Sequence, residues 1–456
     1  MNGKLKNAPA QPAGLLVDSV WSTATTGVTV GLQMVEIMIL SRVLSKELLG
    51  SYFLVTAFPE VVQGVLDLRL QEVMIKYLIG FIRSGEIERV SALVKVTWIV
   101  SAMTGILTVV IVAVTASLAS AIVNGAASDR LMLLYAFGLF LGSLQGRSGA
   151  IIRAFNRFDL NFWIALVIAV LRLALVVAPV LLGFGLSGLI EGRVVAQCIG
   201  SVIIGTTSYL LLRARVPLDL WVPLGVLRPI WKEIVHFSFH LNLASIAKSL
   251  AQRADTIVVG TFMNPGGVAA YKVIGQLGRA LYLISDPLTT AAYPRFVQLT
   301  SRGDVAGLNR MARRASVMVG LALIPALLVC TIFPGLLVHA FAGPQYIGSA
   351  WLLPLFMWTN VAGIVFFWTH PYLLSVGLPQ YSSLANIIGR LAGILAFSGL
   401  VVSSSLPGAA IGSGLPAAFS TVVALWLISR LPRHGQSAPA SHVTPHPKTI
   451  SSEECS

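Results

Sequence analysis

The sequence predicts an all-α, polytopic membrane protein, with about twelve transmembrane helices in two six-helix lobes related by a pseudo-twofold axis. Three observations predict it. Twelve apolar stretches fill the chain, near 19–40, 49–68, 97–123, 130–151, 161–183, 186–212, 238–262, 268–294, 312–337, 349–374, 380–402 and 407–429. A helix rises about 1.5 Å per residue, so ~20 residues cross a hydrocarbon core of ~30 Å. Lysines and arginines fall on alternate connections between these stretches. A hydrophobic fraction of 56% against 11% charged residues excludes a soluble domain.

The charges orient the spans. The N-terminus carries Lys4 and Lys6, and the second connection carries Arg69, Lys76, Arg83, Arg89 and Lys95. Later basic sets are Arg147, Arg153 and Arg157, then Arg213, Arg215, Arg228 and Lys232, then Arg295, Arg302, Arg310, Arg313 and Arg314. The short tenth connection has no Lys or Arg, and the opposite connections hold only Arg42, Lys46 and Arg130. Cytoplasmic loops carry the excess of Lys and Arg, so both termini are expected in the cytoplasm. The net charge of +14 is then mostly a topology signal. It is dispersed over short loops, which argues against nucleic acid as a partner.

The chain divides into a cytoplasmic N-terminus (1–18), an N-lobe (19–212), a cytoplasmic linker (213–237), a C-lobe (238–430) and a disordered cytoplasmic tail (431–456). The linker contains Pro217, Pro223 and Pro229 and is expected to hold a surface helix; the tail is rich in Pro, Ser and His. Cys198, Cys330 and Cys455 are too few and scattered for a disulfide framework or a metal site. No cofactor or metal is expected, and no catalytic residue.

An offset of 219 relates the halves. It places Gln33 on Gln252, Glu36 on Asp255, Tyr52 on Tyr271, Asp67 on Asp286 and Lys76 on Arg295. Overall identity is near chance, but the rare intramembrane polar positions coincide. Six spans per half with the same starting topology imply parallel repeats.

Polar stripes mark faces that cannot look at lipid. The first span has Ser22, Thr26, Thr29, Gln33 and Glu36 along one face, and the seventh has Ser238, Asn242, Ser245, Ser249, Gln252 and Thr256. The eighth adds Lys272, Gln276, Arg279 and Asp286. Hydroxyls and amides alone would serve as glue between helices. The ionisable residues point further, because a central charge costs at least ~2.5 kcal/mol even on lenient scales. The first half holds Glu36, Glu60, Asp67, Arg172, Glu191 and Arg193; the second holds Lys248, Arg253, Asp255, Lys272, Arg279, Asp286 and Arg390. Glu191 and Arg193 are expected too near a span end to matter. The cationic surplus of the second half requires either pairing across the lobes or an entering anion. Pro59 and Pro287, in the second and eighth spans, are candidate hinges.

The stretch from Ile39 to Leu78, with Arg42, Gly50, Tyr52 and Asp67-Leu68, resembles the opening of polysaccharide and O-antigen flippases, although Arg69 stands where that pattern has Gly. Phe237 to Leu277 resembles the family's second-half opening, with Asp255, Gly260, Val268 and Tyr271 in place and Pro294 closing the next span. Arg153 to Asp159 resembles its short basic-aromatic connection. The family belongs to the multidrug/oligosaccharidyl-lipid/polysaccharide (MOP) superfamily, which also holds peptidoglycan-precursor flippases and MATE-type multidrug exporters. The resemblance implies a MATE-like fold and flipping of a polyprenyl-pyrophosphate-linked oligosaccharide to the outer leaflet of a bacterial inner membrane. It implies alternating access, coupled to H+ or Na+. A polysaccharide polymerase and a chain-length regulator are the expected protein partners, and membrane lipid the surroundings.

A polar cavity would hold the sugar, and Lys or Arg would meet the pyrophosphate. The expected substrate-binding residues are Lys248, Lys272, Arg279, Arg253, Gln33, Gln252 and Asn242. Glu36 and Glu60 are the coupling candidates, with Glu36 preferred; Asp67 is read as structural. A MATE-type cation-coupled exporter is the alternative, and would want an acidic cavity. A glycosyltransferase is disfavoured because the outer connections leave no place for a folded domain. No phosphate-binding Gly-x-x-x-x-Gly-Lys-Ser/Thr loop supports an ATP-driven pump.

Overall fold

Long uncharged runs force the backbone to satisfy its own hydrogen bonds, and in a bilayer a helix does this within one segment. The computed structural model describes residues 12–430 apart from Arg69, Asn124, Ala126, Leu218 and Leu220; for some residues inside helices it describes the backbone alone. The expected tail, 431–456, and most of the N-terminal segment lie outside the described residues. Every regular element among the described residues is helical.

The N-lobe comprises α1 (Pro12–Val43), α2 (Lys46–Leu66), α3 (Leu70–Ser84), α4 (Ile87–Ile122), α5 (Asp129–Ala154), α6 (Phe158–Leu181) and α7 (Gly185–Arg213). A 3-10 turn, Leu224–Ile230, leads into the C-lobe. That lobe comprises α8 (Trp231–Phe262), α9 (Pro265–Ala280), α10 (Tyr282–Ser301), α11 (Val305–Ile332), α12 (Pro334–Ala342), α13 (Leu352–Val365), α14 (Thr369–Ser375), α15 (Pro379–Gly412) and α16 (Leu415–Arg430). Among the described residues eight segments are long and apolar enough by themselves to cross a bilayer. The other four spans are α5 and α8, which carry polar faces, the broken pair α9–α10, and the short α16.

Several boundaries differ from the sequence reading, each for a local reason. The second connection holds a helix of its own, α3. Leu70, Val73, Met74, Tyr77, Leu78 and Phe81 are all buried on one face, which packs on Val90, Leu93, Val94 and Ile234. The ninth span ends at Phe333, because Pro334 disfavours helical geometry in the residue before it. The eighth span breaks at Leu281, while Pro59 sits inside an unbroken α2. The α8 helix begins at Trp231, inside the interval read as linker. The boundary between the last two spans lies where the sequence puts it. Helix α15 kinks at Ser405 (φ 53°) and doubles back, bringing Gly408 against the Leu400 carbonyl.

The 219-residue repeat reappears in the helix ends. Helix α1 ends at Val43 and α8 at Phe262; α2 starts at Lys46 and α9 at Pro265. Even the caps correspond. The Ser45 side chain accepts from Leu48 N at 3.3 Å, and Asn264 accepts from Gly267 N at 2.8 Å. Each satisfies an N–H that the first helical turn leaves open.

The lobes meet tightly at the end of the bundle away from the basic connections. Arg42 donates to the Ala340 carbonyl, and Gln345 donates to the Ser41 and Leu44 carbonyls. These bonds cap the C-terminal ends of α1 and α12 across the interface. Lys46 lies 5.3 Å from the Tyr346 ring centre. Gly50 packs on the Pro265 carbonyl so closely that a Cβ would lie 1.8 Å from its oxygen. Toward the basic end, Ser238 donates to the Leu68 carbonyl, and Tyr77 donates to Glu233 at 2.8 Å.

Candidate functional site

Between the lobes lies a cavity of about 390 Å³. Helix α1 contributes Gln33 and Glu36, α2 contributes Glu60, and α7 contributes Arg193. From the C-lobe come Arg253 on α8 and Lys272, Gln276 and Arg279 on α9. These are the stripes of the first, seventh and eighth spans, brought to face one another. Of the expected substrate-binding residues, the structure places Gln33, Arg253, Lys272 and Arg279 on the cavity wall. The side chains of Asn242, Lys248 and Gln252 lie outside the described residues.

Three carboxylates organise the charges. Glu36 is buried and accepts from two arginines of its own lobe, Arg172 Nε at 3.1 Å and Arg193 Nη1 at 2.6 Å. Its counterpart Asp255 is also buried. It takes Lys272 Nζ at 2.9 Å and Arg279 Nη2 at 3.1 Å, with further bonds from the Tyr271 and Thr256 hydroxyls, both at 3.0 Å. Glu60 accepts from Tyr135 OH at 2.7 Å and pairs with Arg253 at 3.2 Å across the interface. A carboxylate held by several donors is fixed in position, and so are the cations it holds.

The two coupling candidates thus differ. Both oxygens of Glu36 carry a guanidinium, whereas Glu60 is about a third exposed and joined to the opposite lobe. Asp67 caps the end of α2 and pairs with Arg147 at 3.6 Å. Arg193 corrects the expectation that it sits too near a span end. Helix α7 starts at Gly185, so Arg193 is two turns inside and turned inward, while Glu191 is exposed. What sequence reading missed is the pairing itself. The signal available was the spacing of Glu191 and Arg193, two apart and hence on different faces of one helix.

The surplus is cationic. Among the described residues Arg172, Arg193, Arg253, Lys272 and Arg279 stand against Glu36, Glu60 and Asp255, five cations to three carboxylates, leaving two positive charges. From Arg253 a second cavity of about 200 Å³ continues past Gln63, Asp67, Ser143 and Arg147 toward the basic end. Among the described residues no group of His, Cys, Asp and Glu could hold a metal.

A family model described as polysaccharide biosynthesis protein matches residues 39–351. The chain belongs to that family. No curated protein sequence matches it. Among solved structures it resembles an inward-facing multidrug resistance MATE family transporter of the MOP superfamily, with a TM-score of 0.70 at 16% identity over 88% of this chain and 94% of that one. It resembles the lipid II flippase MurJ in an inward closed conformation, with a TM-score of 0.68 at 13% identity over 91% and 88%. An outward-facing MATE family transporter superposes less well, at 0.53 and 18% identity over 91% and 95%. The fold of this family member is therefore the twelve-helix fold of MOP transporters. In this structure the interface is closed at one end and the cavities run toward the other.

Proposed function

We propose that the protein flips a polyprenyl-pyrophosphate-linked oligosaccharide from the inner to the outer leaflet of a bacterial inner membrane, by alternating access. Both termini then lie in the cytoplasm, at the basic end of the bundle. The observation that supports this most is the surplus of two positive charges around the central cavity. A pyrophosphate diester carries about two negative charges and suits Arg and Lys donors. Gln33 and Gln276 offer amides to the sugar, and the polyprenyl tail stays in lipid. The same surplus repels an organic cation, which disfavours the multidrug-exporter alternative.

Lys272 and Arg279 are the proposed head-group ligands. In the resting cavity Asp255 stands in for the cargo's charge. On arrival the pyrophosphate competes with Asp255 for Arg279, the more exposed of the two cations. Coupling to H+ or Na+ is assigned to Glu60 rather than Glu36. Its partner Arg253 belongs to the other lobe, so any rearrangement of the lobes must break or remake that pair. The sugar presented at the outer leaflet would pass to a polysaccharide polymerase working with a chain-length regulator.

The test is reconstitution in proteoliposomes with a fluorescent lipid-linked oligosaccharide whose outer-leaflet fraction is read by a lectin or an impermeant quencher. Protein-dependent equilibration is expected, and imposed proton or sodium gradients should bias it in the wild type but not in Glu60→Gln. Transport of a cationic dye without transport of the lipid-linked sugar would replace this reading with the exporter.

A further inference from the structure

The 219-residue offset carries Arg172 to Leu391, next to Arg390. Both arginines lie on the fifth span of their half, α6 and α15. Their circumstances differ. Arg172 is paired with Glu36. The equivalent carboxylate, Asp255, is instead taken by Lys272 and Arg279 of α9. Arg390 is left with one neutral contact, its Nε donating to Asn386 Oδ1 at 3.2 Å, and it pairs with no carboxylate among the described residues.

Its position makes this costly. Arg390 lies eleven residues past Pro379, about 17 Å along the helix from the basic end and near mid-membrane. An unpaired intramembrane arginine is expensive and is retained where something meets it. It lines two adjoining cavities inside the C-lobe, of about 250 and 160 Å³, which share Arg390 and Tyr282. The larger one runs from Arg390 past Asn360 and Ser413 to Arg279. Its uncharged polar side chains are those of Tyr271, Tyr282, Asn360 and Ser413, with Tyr282 OH donating to Asn360 Oδ1 at 3.0 Å, beside apolar Ile394 and Phe397. Asp255 also borders it, but its charge is already matched.

We propose that this C-lobe cavity binds a small monovalent inorganic anion, chloride in the cell, held by the Arg390 guanidinium and neighbouring hydroxyl and amide groups. One anion neutralises Arg390 without disturbing the Asp255 triad. The Arg390 end of this cavity lies apart from the central cavity, which it meets only at Arg279 among the described residues, and the proposal does not depend on what the cargo is. The anion gives Arg390 the counter-charge that Glu36 gives Arg172 from within the chain. Helices α8, α10, α13, α15 and α16 all contribute to its wall, so occupancy ties them together.

The experiment uses the full-length purified protein in detergent, without cargo, in gluconate buffer at constant ionic strength. Chloride is titrated and the thermal unfolding midpoint is read. Wild type should show a saturating rise, because a ligand that binds only the folded state stabilises it. Arg390→Gln should abolish the rise, and Arg253→Gln, in the central cavity, should keep it. The reverse pattern would place the anion in the central cavity and overturn the proposal, as would a flat wild-type titration. If Arg390→Gln fails to fold, bromide-soaked crystals of the wild type decide. Anomalous density within hydrogen-bond reach of Arg390 is expected, and its absence there overturns the site.

Discussion

In the N-lobe a carboxylate of the first helix, Glu36, is clasped by arginines from two other helices, Arg172 on α6 and Arg193 on α7. In the C-lobe its counterpart Asp255 is clasped by Lys272 and Arg279, both from α9. The first arrangement ties three helices of one lobe together. The second leaves Arg279 half exposed to the cavity, against less than a fifth for either N-lobe arginine. Buried charges that staple helices are hard to borrow for transport. A cation that already faces water can exchange its carboxylate for another anion at little cost. Two repeats with the same starting pattern thus hold their carboxylates differently, and the proposed division of labour, architecture in one and binding in the other, follows that difference.

The largest effect that could break this comparison is loss of Glu36. Arg172 Nη2 and Arg193 Nε are already buried without a hydrogen-bond partner among the described residues. Glu36→Ala would strand both guanidiniums, at about 3–5 kcal/mol for a broken buried pair. Folded protein recovered from membranes should fall sharply. Asp255→Ala should lose less, because water can reach Arg279. Equal losses in the two variants would remove the distinction between the triads.

Next is closure of the interface. Gly50→Leu places a side chain where the Pro265 carbonyl sits, an overlap expected to disfavour this conformation by about 1–3 kcal/mol. Spin labels at Ser128 and Gly348, one on each lobe at the closed end, should move apart in the variant. An unchanged distance distribution would show that the contact does not hold that end shut.

The paired caps give a smaller, symmetric test. Ser45→Ala and Asn264→Ala should each cost about 1 kcal/mol of thermal stability, because each removes an acceptor from a first helical turn. A large inequality would show that the repeat is preserved in outline but not in energetics. Smallest is the bridge between lobes. Glu60 and Arg253 are each about a third exposed. A double-mutant cycle of Glu60→Gln and Arg253→Gln should give a coupling below about 1 kcal/mol in stability. Flipping should fall in both single variants. Strong destabilisation instead would make the pair a staple like that of Glu36.

Much of the fold is legible in the sequence because a bilayer imposes a length and a polarity on every span. The 219-residue offset, read from four or five polar positions, gives the correspondence of helix ends within α1, α2, α8 and α9. Helix α3 was hidden in a basic connection, since its apolar face is only six residues wide and is interrupted by Gln71, Glu72 and Lys76. The cavity wall follows from the stripes, as Gln33, Lys272 and Arg279 show. Which cation meets which carboxylate does not follow. Glu36 and Arg193 are 157 residues apart, and only the packing of α1, α6 and α7 brings them within 2.6 Å. Arg390 shows the converse: its charge is plain in the sequence, but its lack of a carboxylate partner among the described residues is a property of the packed lobe.

The central claim is that the cavity's surplus positive charge binds an anionic, lipid-linked head group, and Arg279 is the place to test it. The measurement is equilibrium binding of a polyprenyl-pyrophosphate oligosaccharide to purified wild type and Arg279→Gln. Lys272 still neutralises Asp255 in the variant, so the folded amount and the unfolding midpoint should stay close to wild type. The account predicts an affinity at least about tenfold lower, the loss of roughly 1.4 kcal/mol expected for one charge-assisted contact. Undiminished binding by a well-folded Arg279→Gln would contradict it.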